Sequence, residues 1–225
     1  MFPERESFFK VWQGGYYEGN PLDPYTESSY SRDKVSILYL TYKVCIEPYI
    51  HQNTKVMDVG CGQGAWTKCM LKSNDVWALD ALPADTNNFY EYVGTRNVKY
   101  VVIEDVSNLP LPNDYFDYMF SFGCFCHLSR PTIYEYMKSL YQKMVINCNC
   151  FTMISDYDKF NSYYQSIGLI MKCRDKNEDQ VPNPGRWYHL GLDWYCQMLF
   201  DVGFKIVCPD VQVNFRDPVV HFVKN

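Results

Sequence analysis

Residues 56–66 read VMDVGCGQGAW, an apolar run that ends in three glycines at alternate positions. Residues 56–59 are typical of a buried strand, and the glycines precede a helix predicted over about residues 65–71. Glycines at a turn between a strand and a helix allow the backbone to approach a ligand closely. The segment therefore predicts a ligand site at the carboxyl end of the first strand.

Strand and helix patterns alternate along the rest of the chain. Further strands are predicted at residues 76–79, 98–103, 116–122 and 151–154, with helices around 89–93, 131–144 and 193–200. This alternation predicts an α/β fold, a Rossmann-like doubly wound sheet that is mostly parallel and covered by helices on both faces. The last apolar runs, 204–207 and 219–223, are joined by a non-helical loop and are predicted to form a C-terminal antiparallel hairpin.

The chain contains no linker that would divide it, so we expect a single domain over residues 1–225. Residues 1–50 form an N-terminal arm and helix that are expected to cover the active site. The arm over residues 11–30 is rich in Gly, Pro and Tyr and is expected to be irregular. Asp33 is expected to cap the following helix, which ends near Pro48 and has one apolar face: Val35, Leu38, Tyr39, Tyr42 and Ile46.

Composition excludes several classes of protein. The net charge of −5 disfavours nucleic acid as the main partner, and no apolar run approaches the roughly 20 residues of a membrane helix. The first residues do not resemble a signal peptide. The ten cysteines are scattered, which favours buried free thiols and a cytoplasmic location, in a host cell if the source is viral. The sequence leaves a homo-oligomer open.

Three ligands compete for the glycine turn. A phosphate-binding loop of the Walker type is excluded because no Gly-Lys-Ser/Thr follows. A dinucleotide fingerprint is formally satisfied by Gly60, Gly62 and Ala65. Asp58, two residues before the first glycine, would repel a pyrophosphate but would suit a cation, and S-adenosylmethionine carries an ammonium and a sulfonium group without any phosphate.

The sequence DVGCGQG resembles the first motif of class I S-adenosylmethionine-dependent methyltransferases, and the resemblance extends over residues 50–225. Asp80 ends the second strand where that family has an acid for the ribose hydroxyls, and Asp105 follows the third strand where an acid or amide reads the adenine amino group. NDYFDYMFSFGCFCHLS resembles the fourth motif. The family has a seven-stranded sheet that ends in an antiparallel hairpin.

This resemblance implies S-adenosyl-L-methionine as cofactor and S-adenosyl-L-homocysteine as product. It also implies a cofactor site at the ends of the first four strands. The expected members of that site are Asp58, Gly60, Gly62, Gly64, Trp66, Asp80, Ala81, Leu82, Glu104, Asp105, Val106, Ser121 and Phe122.

A hydroxyl acceptor requires a group that removes its proton. His127 follows the fourth strand and is the first candidate for this base, with Asp156 as a second catalytic residue after the fifth strand. Asp156 and Asp158 could bind acceptor hydroxyls, orient His127 or hold a divalent cation. We predict no metal, because two acids are few ligands and Cys-x-Cys is too short for a structural zinc pair.

Two segments are expected to enclose the acceptor. The arm offers Trp12, Tyr16, Tyr17 and Glu18, and the loop before the last helix offers Arg186, Trp187 and His189. We predict a small-molecule O-methyltransferase acting on a sugar or nucleotide sugar in glycan synthesis, since several motifs are similar to methyltransferases of sugar modification. The alternatives are transfer to an amine or carboxylate of a metabolite, an NAD-dependent oxidoreductase, and an inactive cofactor-binding scaffold.

Overall fold

In the computed structural model, which describes residues 4–12, 14–15, 18–26, 35–175 and 187–225, seven strands form one sheet. The strands are β1 (Lys55–Val59), β2 (Asp75–Asp80), β3 (Val98–Val102), β4 (Phe116–Ser121), β5 (Met144–Met153), β6 (Phe204–Cys208) and β7 (Val219–Lys224). Their order is β3-β2-β1-β4-β5-β7-β6. Strands β1 to β5 pair in parallel, and β7 lies antiparallel between β5 and β6. The predicted fold, including the terminal hairpin, is confirmed.

The strand order reverses direction beside β1. The chain passes from β1 to β2 and β3 on one side and then crosses to β4 and β5 on the other. In an open α/β sheet, the crevice at the carboxyl ends of the strands beside such a reversal is the usual place for a ligand. The glycine turn after β1 opens directly into this crevice.

Seven α-helices lie within the described residues: α1 (Arg5–Val11), α2 (Ile37–Thr41), α3 (Ala65–Cys69), α4 (Phe89–Val93), α5 (Arg130–Lys143), α6 (Tyr157–Ser166) and α7 (Leu192–Val202). Short 3₁₀ turns cover Phe125–His127 and Ile170–Lys172. None of the helices described is both long and apolar enough to cross a membrane. Helices α1 and α6 are not among the helices that the apolar pattern predicts.

The parallel register sorts the core into two layers. Met57, Met119 and Cys150 lie side by side across β1, β4 and β5 and pack in the core that includes α5 and α7. Phe120 and Phe151, one position further along, pack on the opposite face with residues of α2 and α3. Because side chains alternate along a strand, Asp58, which pairs with Phe120, falls in this second row.

The long strand β5 differs from its prediction. It begins at Met144, immediately after α5, whereas the apolar pattern predicts a start at residue 151. Its first half contains Asn147 and Asn149, so it lacks the continuous apolar pattern of a central strand. The structure also places α6 right after this strand.

The helix before β1 differs from its prediction as well. It begins at Ile37, and Ser36 rather than Asp33 is the cap, since the Ser36 hydroxyl accepts a hydrogen bond from the Leu38 amide at 3.2 Å. Asp33 lies outside the described residues. A π-helical turn covers Tyr42–Ile46, where Cys45 is buried, and Val35, which precedes the helix, is exposed.

All ten cysteines are free, and six of them are buried. This agrees with the prediction of scattered free thiols. Cys148 and Cys150 point to the same side of β5, and their sulfur atoms lie 3.8 Å apart. In the described part of the chain, no group of three or more potential metal ligands comes together.

The N-terminal helix α1 is fastened at both ends. The Glu4 carboxylate accepts hydrogen bonds from the Ser129 amide at 2.9 Å and from the Thr132 hydroxyl at 3.1 Å, so it caps the start of α5. Arg5 Nε donates to the Ala81 carbonyl at 3.1 Å, and the Gly14 amide donates to the Thr86 carbonyl at 2.9 Å. The arm therefore spans from α5 to the loop between β2 and α4.

Replacing Glu4 with Gln tests this attachment. In this variant the group that caps α5 is a neutral amide in place of the Glu4 carboxylate, so we expect the free energy of unfolding to fall by about 1 kcal/mol. We also expect faster amide hydrogen exchange over residues 5–12. Glu6→Gln, on the exposed side of the same helix, is the matched control. Equal exchange in the two variants would show that the Glu4 contact does not hold the arm.

Candidate active site

A pocket opens at the carboxyl ends of β1, β2 and β4, where the strand order reverses. It contains about 990 Å³ of empty space, part of which is open to solvent at the mouth. Its wall is formed by the glycine turn, the end of β2, the segment after β4 and the arm. Among the predicted cofactor residues, those on this wall are Gly60, Gly62, Trp66, Asp80, Ala81, Leu82 and Phe122.

The glycines have two different physical roles. Gly60 has a φ of +76°, and a Cβ there would lie 2.3 Å from the Cβ of Cys124, so no side chain fits between the two strand ends. Gly64 has a φ of +97°, and its Cβ would lie 2.2 Å from Val93 Cγ2 in α4. Gly60 thus shapes the pocket wall, whereas Gly64, which is not on that wall, allows α3 and α4 to pack closely.

Asp80 is held at the end of β2 by backbone amides. Its Oδ2 accepts from the Gly62 amide and its Oδ1 accepts from the Leu82 amide, both at 2.9 Å. Burial raises the pKa of Asp80, and these hydrogen bonds oppose that effect. Each carboxylate oxygen can accept a further hydrogen bond, which the predicted contact of Asp80 with the two ribose hydroxyls requires.

A buried amide supports this part of the wall. Asn87 Nδ2 donates to the Tyr100 hydroxyl at 2.7 Å, and that hydroxyl donates to the Leu82 carbonyl at 2.8 Å. Asn87 lines the pocket, although no sequence pattern singles it out. The network connects β3 to the loop after β2 and therefore holds Leu82 in place.

Asp58 lies behind the wall rather than on it. Its side chain accepts a hydrogen bond from the Thr67 hydroxyl of α3, and only 1% of the residue is exposed. Burial raises the pKa of Asp58 to about 7. The alternation of side chains along β1 turns Asp58 toward α3 and away from the pocket wall. Its effect on a cation would act through space.

The segment after β3 is placed differently from its prediction. The Asp105 carboxylate accepts hydrogen bonds from the amide and hydroxyl of Ser107, at 2.9 and 2.7 Å, and is exposed. Glu104 is exposed, and Val106 packs into the core. None of the three is on the pocket wall, where Ile103 lies instead. Recognition of adenine by Asp105 stays a prediction that would require this turn to rearrange.

Ser121, predicted to contact the cofactor, is fully buried at the end of β4. Its hydroxyl donates to the Val59 carbonyl at 2.8 Å. It therefore joins β4 to β1 and does not line the pocket. The next residue, Phe122, is the one that does, and it packs against Trp66 with ring centroids 4.8 Å apart.

His127 lies on the pocket wall in the turn after β4. Its ring packs edge-on against Trp12 of the arm, at 4.7 Å between centroids, and against Trp187, at 5.7 Å. Among the described wall residues, it is the one imidazole. Burial raises the pKa of the neighbouring Cys124 thiol to about 12 and that of the Tyr136 phenol well above its usual value.

Asp156, predicted as a second catalytic residue, joins the start of α6 to the start of α7. Its Oδ1 accepts from the amides of Asp158 and Lys159, at 2.8 and 3.2 Å, and thereby caps α6. Its Oδ2 accepts from the Leu192 amide of α7 at 2.8 Å. Asp156 is not on the pocket wall, and its catalytic role stays a prediction.

The predicted acceptor residues divide into three groups. Glu18 lies on the pocket wall, as do Trp12 and two other arm residues, Gly19 and Pro21. Asp158 is exposed on α6, and His189 Nδ1 accepts a hydrogen bond from the Tyr157 amide at 3.1 Å, so neither reaches the wall. Tyr16, Tyr17 and Arg186 lie outside the described residues.

Comparison with known proteins is consistent with this site. Residues 56–145 match the family described as a methyltransferase domain. A methyltransferase from Aquifex aeolicus that depends on S-adenosylmethionine has 21% identity and a TM-score of 0.60, over 81% of this chain and 88% of that chain. One from Mesorhizobium loti has 12% identity and a TM-score of 0.59, over 84% and 98%. No curated protein sequence matches the chain.

A further solved structure is that of magnesium protoporphyrin IX methyltransferase from Synechocystis, with bound S-adenosylhomocysteine. It has 14% identity and a TM-score of 0.54, over 83% of this chain and 80% of that chain. Residues 56–145 thus match a methyltransferase domain, and the chain has the fold of S-adenosylmethionine-dependent methyltransferases. These findings favour S-adenosyl-L-methionine as the cofactor over the NAD alternative. The cradle at Gly60 and the carboxylate of Asp80 fit this cofactor.

Replacing Gly60 with Ala tests the close approach at the turn. The added methyl group overlaps Cys124, so we expect S-adenosylhomocysteine to bind at least about tenfold more weakly in calorimetry, a loss of about 1.4 kcal/mol. Gly94→Ala is the control, because Gly94 also has a positive φ, +86°, but has open space around a Cβ. If both variants bind S-adenosylhomocysteine equally well, the overlap is unimportant.

The raised pKa of Asp58 leads to a pH-dependent prediction. Below pH 7 the buried carboxyl is protonated, and above pH 7 its charge attracts the cationic cofactor through space. Affinity for S-adenosylmethionine should therefore rise between pH 6 and 8, by about fivefold, or about 1 kcal/mol. In Asp58→Asn, the part of this rise in affinity that comes from Asp58 should disappear. Any part that comes from titration of the cofactor itself is the same for both proteins. Identical pH profiles by calorimetry would rule out an effect of Asp58.

Proposed function

We propose that this protein transfers the methyl group of S-adenosylmethionine to a hydroxyl of a small molecule, a sugar or nucleotide sugar used in glycan synthesis. The observation that carries the proposal is the position of His127. Histidine is the side chain whose unperturbed pKa lies near neutral pH, and His127 lies on the described pocket wall. The thiol of Cys124 and the phenol of Tyr136 on the same wall titrate too high to serve as a base at neutral pH.

The cofactor supplies a methyl group already activated by the positive sulfur, so the protein has to orient the two reactants. Asp80 would hold the ribose, and the backbone of the glycine turn would hold the amino-acid end. Trp66, Phe122 and Trp12 provide apolar wall that excludes water. His127 would then accept the proton of the attacking hydroxyl as the new O–C bond forms.

The acceptor would enter beside His127, between the arm and the segment that begins at Trp187. Glu18 and Trp187 offer a carboxylate and an aromatic surface, a combination that suits a hydroxyl-rich ring. The net charge of −5 does not favour a nucleic-acid acceptor. We keep a cytoplasmic location as part of the proposal, because ten free cysteines suit a reducing compartment.

Replacing His127 with Ala tests the role of the base. We expect kcat for methyl transfer to a hydroxyl to fall by about 10² to 10⁴, while affinity for S-adenosylhomocysteine changes little. Nucleotide sugars are screened by mass spectrometry for the replacement of one hydrogen by a methyl group, with and without EDTA. His51→Ala is the matched control, since His51 is exposed and precedes β1 at the opposite edge of the sheet.

The outcomes separate the candidates. A His127→Ala rate near that of the wild type would indicate an amine or carboxylate acceptor, because a carboxylate needs no base and an amine loses its proton late. Loss of activity with EDTA would contradict transfer without a metal. Cofactor binding with no methylated product from any acceptor class would support the inactive scaffold.

A further inference from the structure

Two arginines from distant parts of the chain meet at Trp187. The guanidinium carbon of Arg174, beyond α6, lies 5.1 Å from the centroid of the Trp187 ring, and that of Arg216, just before β7, lies 4.8 Å from it. Both also lie over Phe160 of α6, at 4.7 and 5.8 Å. Planar guanidinium groups stack on aromatic rings and keep their N–H groups available at the edges.

The charged groups around Trp187 are only partly paired in the described residues. Arg216 Nε donates to the Asp217 carboxylate at 2.7 Å, and Lys159 pairs with Asp210 at 2.5 Å. Within the described ranges, no carboxylate lies within salt-bridge distance of Arg174. Asp217 is fully buried, which raises its pKa, and the positive charges of Arg216, Arg174 and Lys159 oppose this rise. Asp217 therefore pairs directly with Arg216 and interacts with Arg174 only at longer range.

Hydrogen-bond donors accompany these charges. The indole N–H of Trp187 and the side-chain amide nitrogen of Asn214 are buried and have no acceptor among the described residues. Asn214 is two residues before Arg216, and its Oδ1 accepts from the Arg216 amide at 3.0 Å. Buried donors without acceptors are unfavourable, so an acceptor-rich group at this place would be stabilised.

The cluster borders the proposed catalytic histidine. Trp187 packs against His127 on one side and against the two arginines, and the Tyr157 hydroxyl donates to the Trp187 carbonyl, which holds the residue in place. The Tyr188 amide donates to the Cys126 carbonyl at 2.8 Å, next to His127 in sequence. An anion held here would lie about one aromatic ring away from the proposed base.

We propose that Arg174, Arg216 and Trp187 form a subsite for a phosphoryl group of the acceptor. This inference rests on the proposed function and narrows its acceptor to a phosphorylated or pyrophosphate-bearing molecule. Two guanidinium groups suit a phosphoryl oxygen cluster, which accepts several charge-assisted hydrogen bonds at once. No bond forms or breaks at the subsite, whose role is to orient the rest of the acceptor beside His127.

The test uses inorganic pyrophosphate as the probe and the full chain saturated with S-adenosylhomocysteine, so that the cofactor pocket is occupied. Calorimetry should detect pyrophosphate binding that weakens as salt is added. Arg174→Gln should weaken it at least about tenfold, because a charge-assisted contact is lost. Arg174 is only partly buried, so we expect its replacement to leave the fold intact and the affinity for S-adenosylhomocysteine unchanged.

Arg96→Gln is the matched control, because it makes the same charge change at an exposed site in the turn before β3, on the opposite edge of the sheet. Equal pyrophosphate affinity in Arg174→Gln and Arg96→Gln, or no binding to the wild type, overturns the subsite. Trp187→Phe keeps an aromatic ring and removes the indole N–H, and it should weaken pyrophosphate several-fold.

The experiments distinguish a failure of the proposed function from a failure of the subsite. If pyrophosphate binding depends on Arg174 but no hydroxyl is methylated, the subsite stands and the proposed reaction is wrong. If hydroxyls of unphosphorylated sugars are methylated as fast as those of their phosphorylated forms, the reaction stands and the subsite is wrong.

Discussion

The pocket depends on the close approach of two strand ends. After β1 the backbone at Gly60 meets Cys124, which follows β4, so tightly that a single added carbon atom would overlap it. This contact lies where the order of strands reverses, and it brings the glycine turn, the end of β2 and His127 onto one wall. The position of the pocket wall follows from that one steric constraint.

The electrostatics of the pocket come from two acids at different depths. Asp80 is on the wall and is held by two backbone amides, which leaves its oxygens able to accept further hydrogen bonds. Asp58 is one layer behind, bonded to Thr67 and largely desolvated. An acid in that position can respond to a cation without touching it, because the low polarity around it preserves the interaction between charges.

Aromatic rings connect the predicted cofactor region to the proposed acceptor region. His127 lies between Trp12, which the arm supplies, and Trp187, which also contacts Arg174 and Arg216. The arm itself is attached through Glu4 to the start of α5. The environment of the proposed base is thus assembled from both ends of the chain and from the loop before α7.

The sequence by itself determined the fold class, the glycine turn, Asp80 and the terminal hairpin, because each depends on local periodicity or on a short motif. It also pointed to His127, whose place after β4 follows from the order of elements. Only the tertiary structure decided that Asp58 faces α3, that Asp156 caps α6, and that Asn87, Arg174 and Arg216 have neighbours far away in sequence. Side-chain direction and long-range contacts arise from packing between elements, which no local pattern encodes.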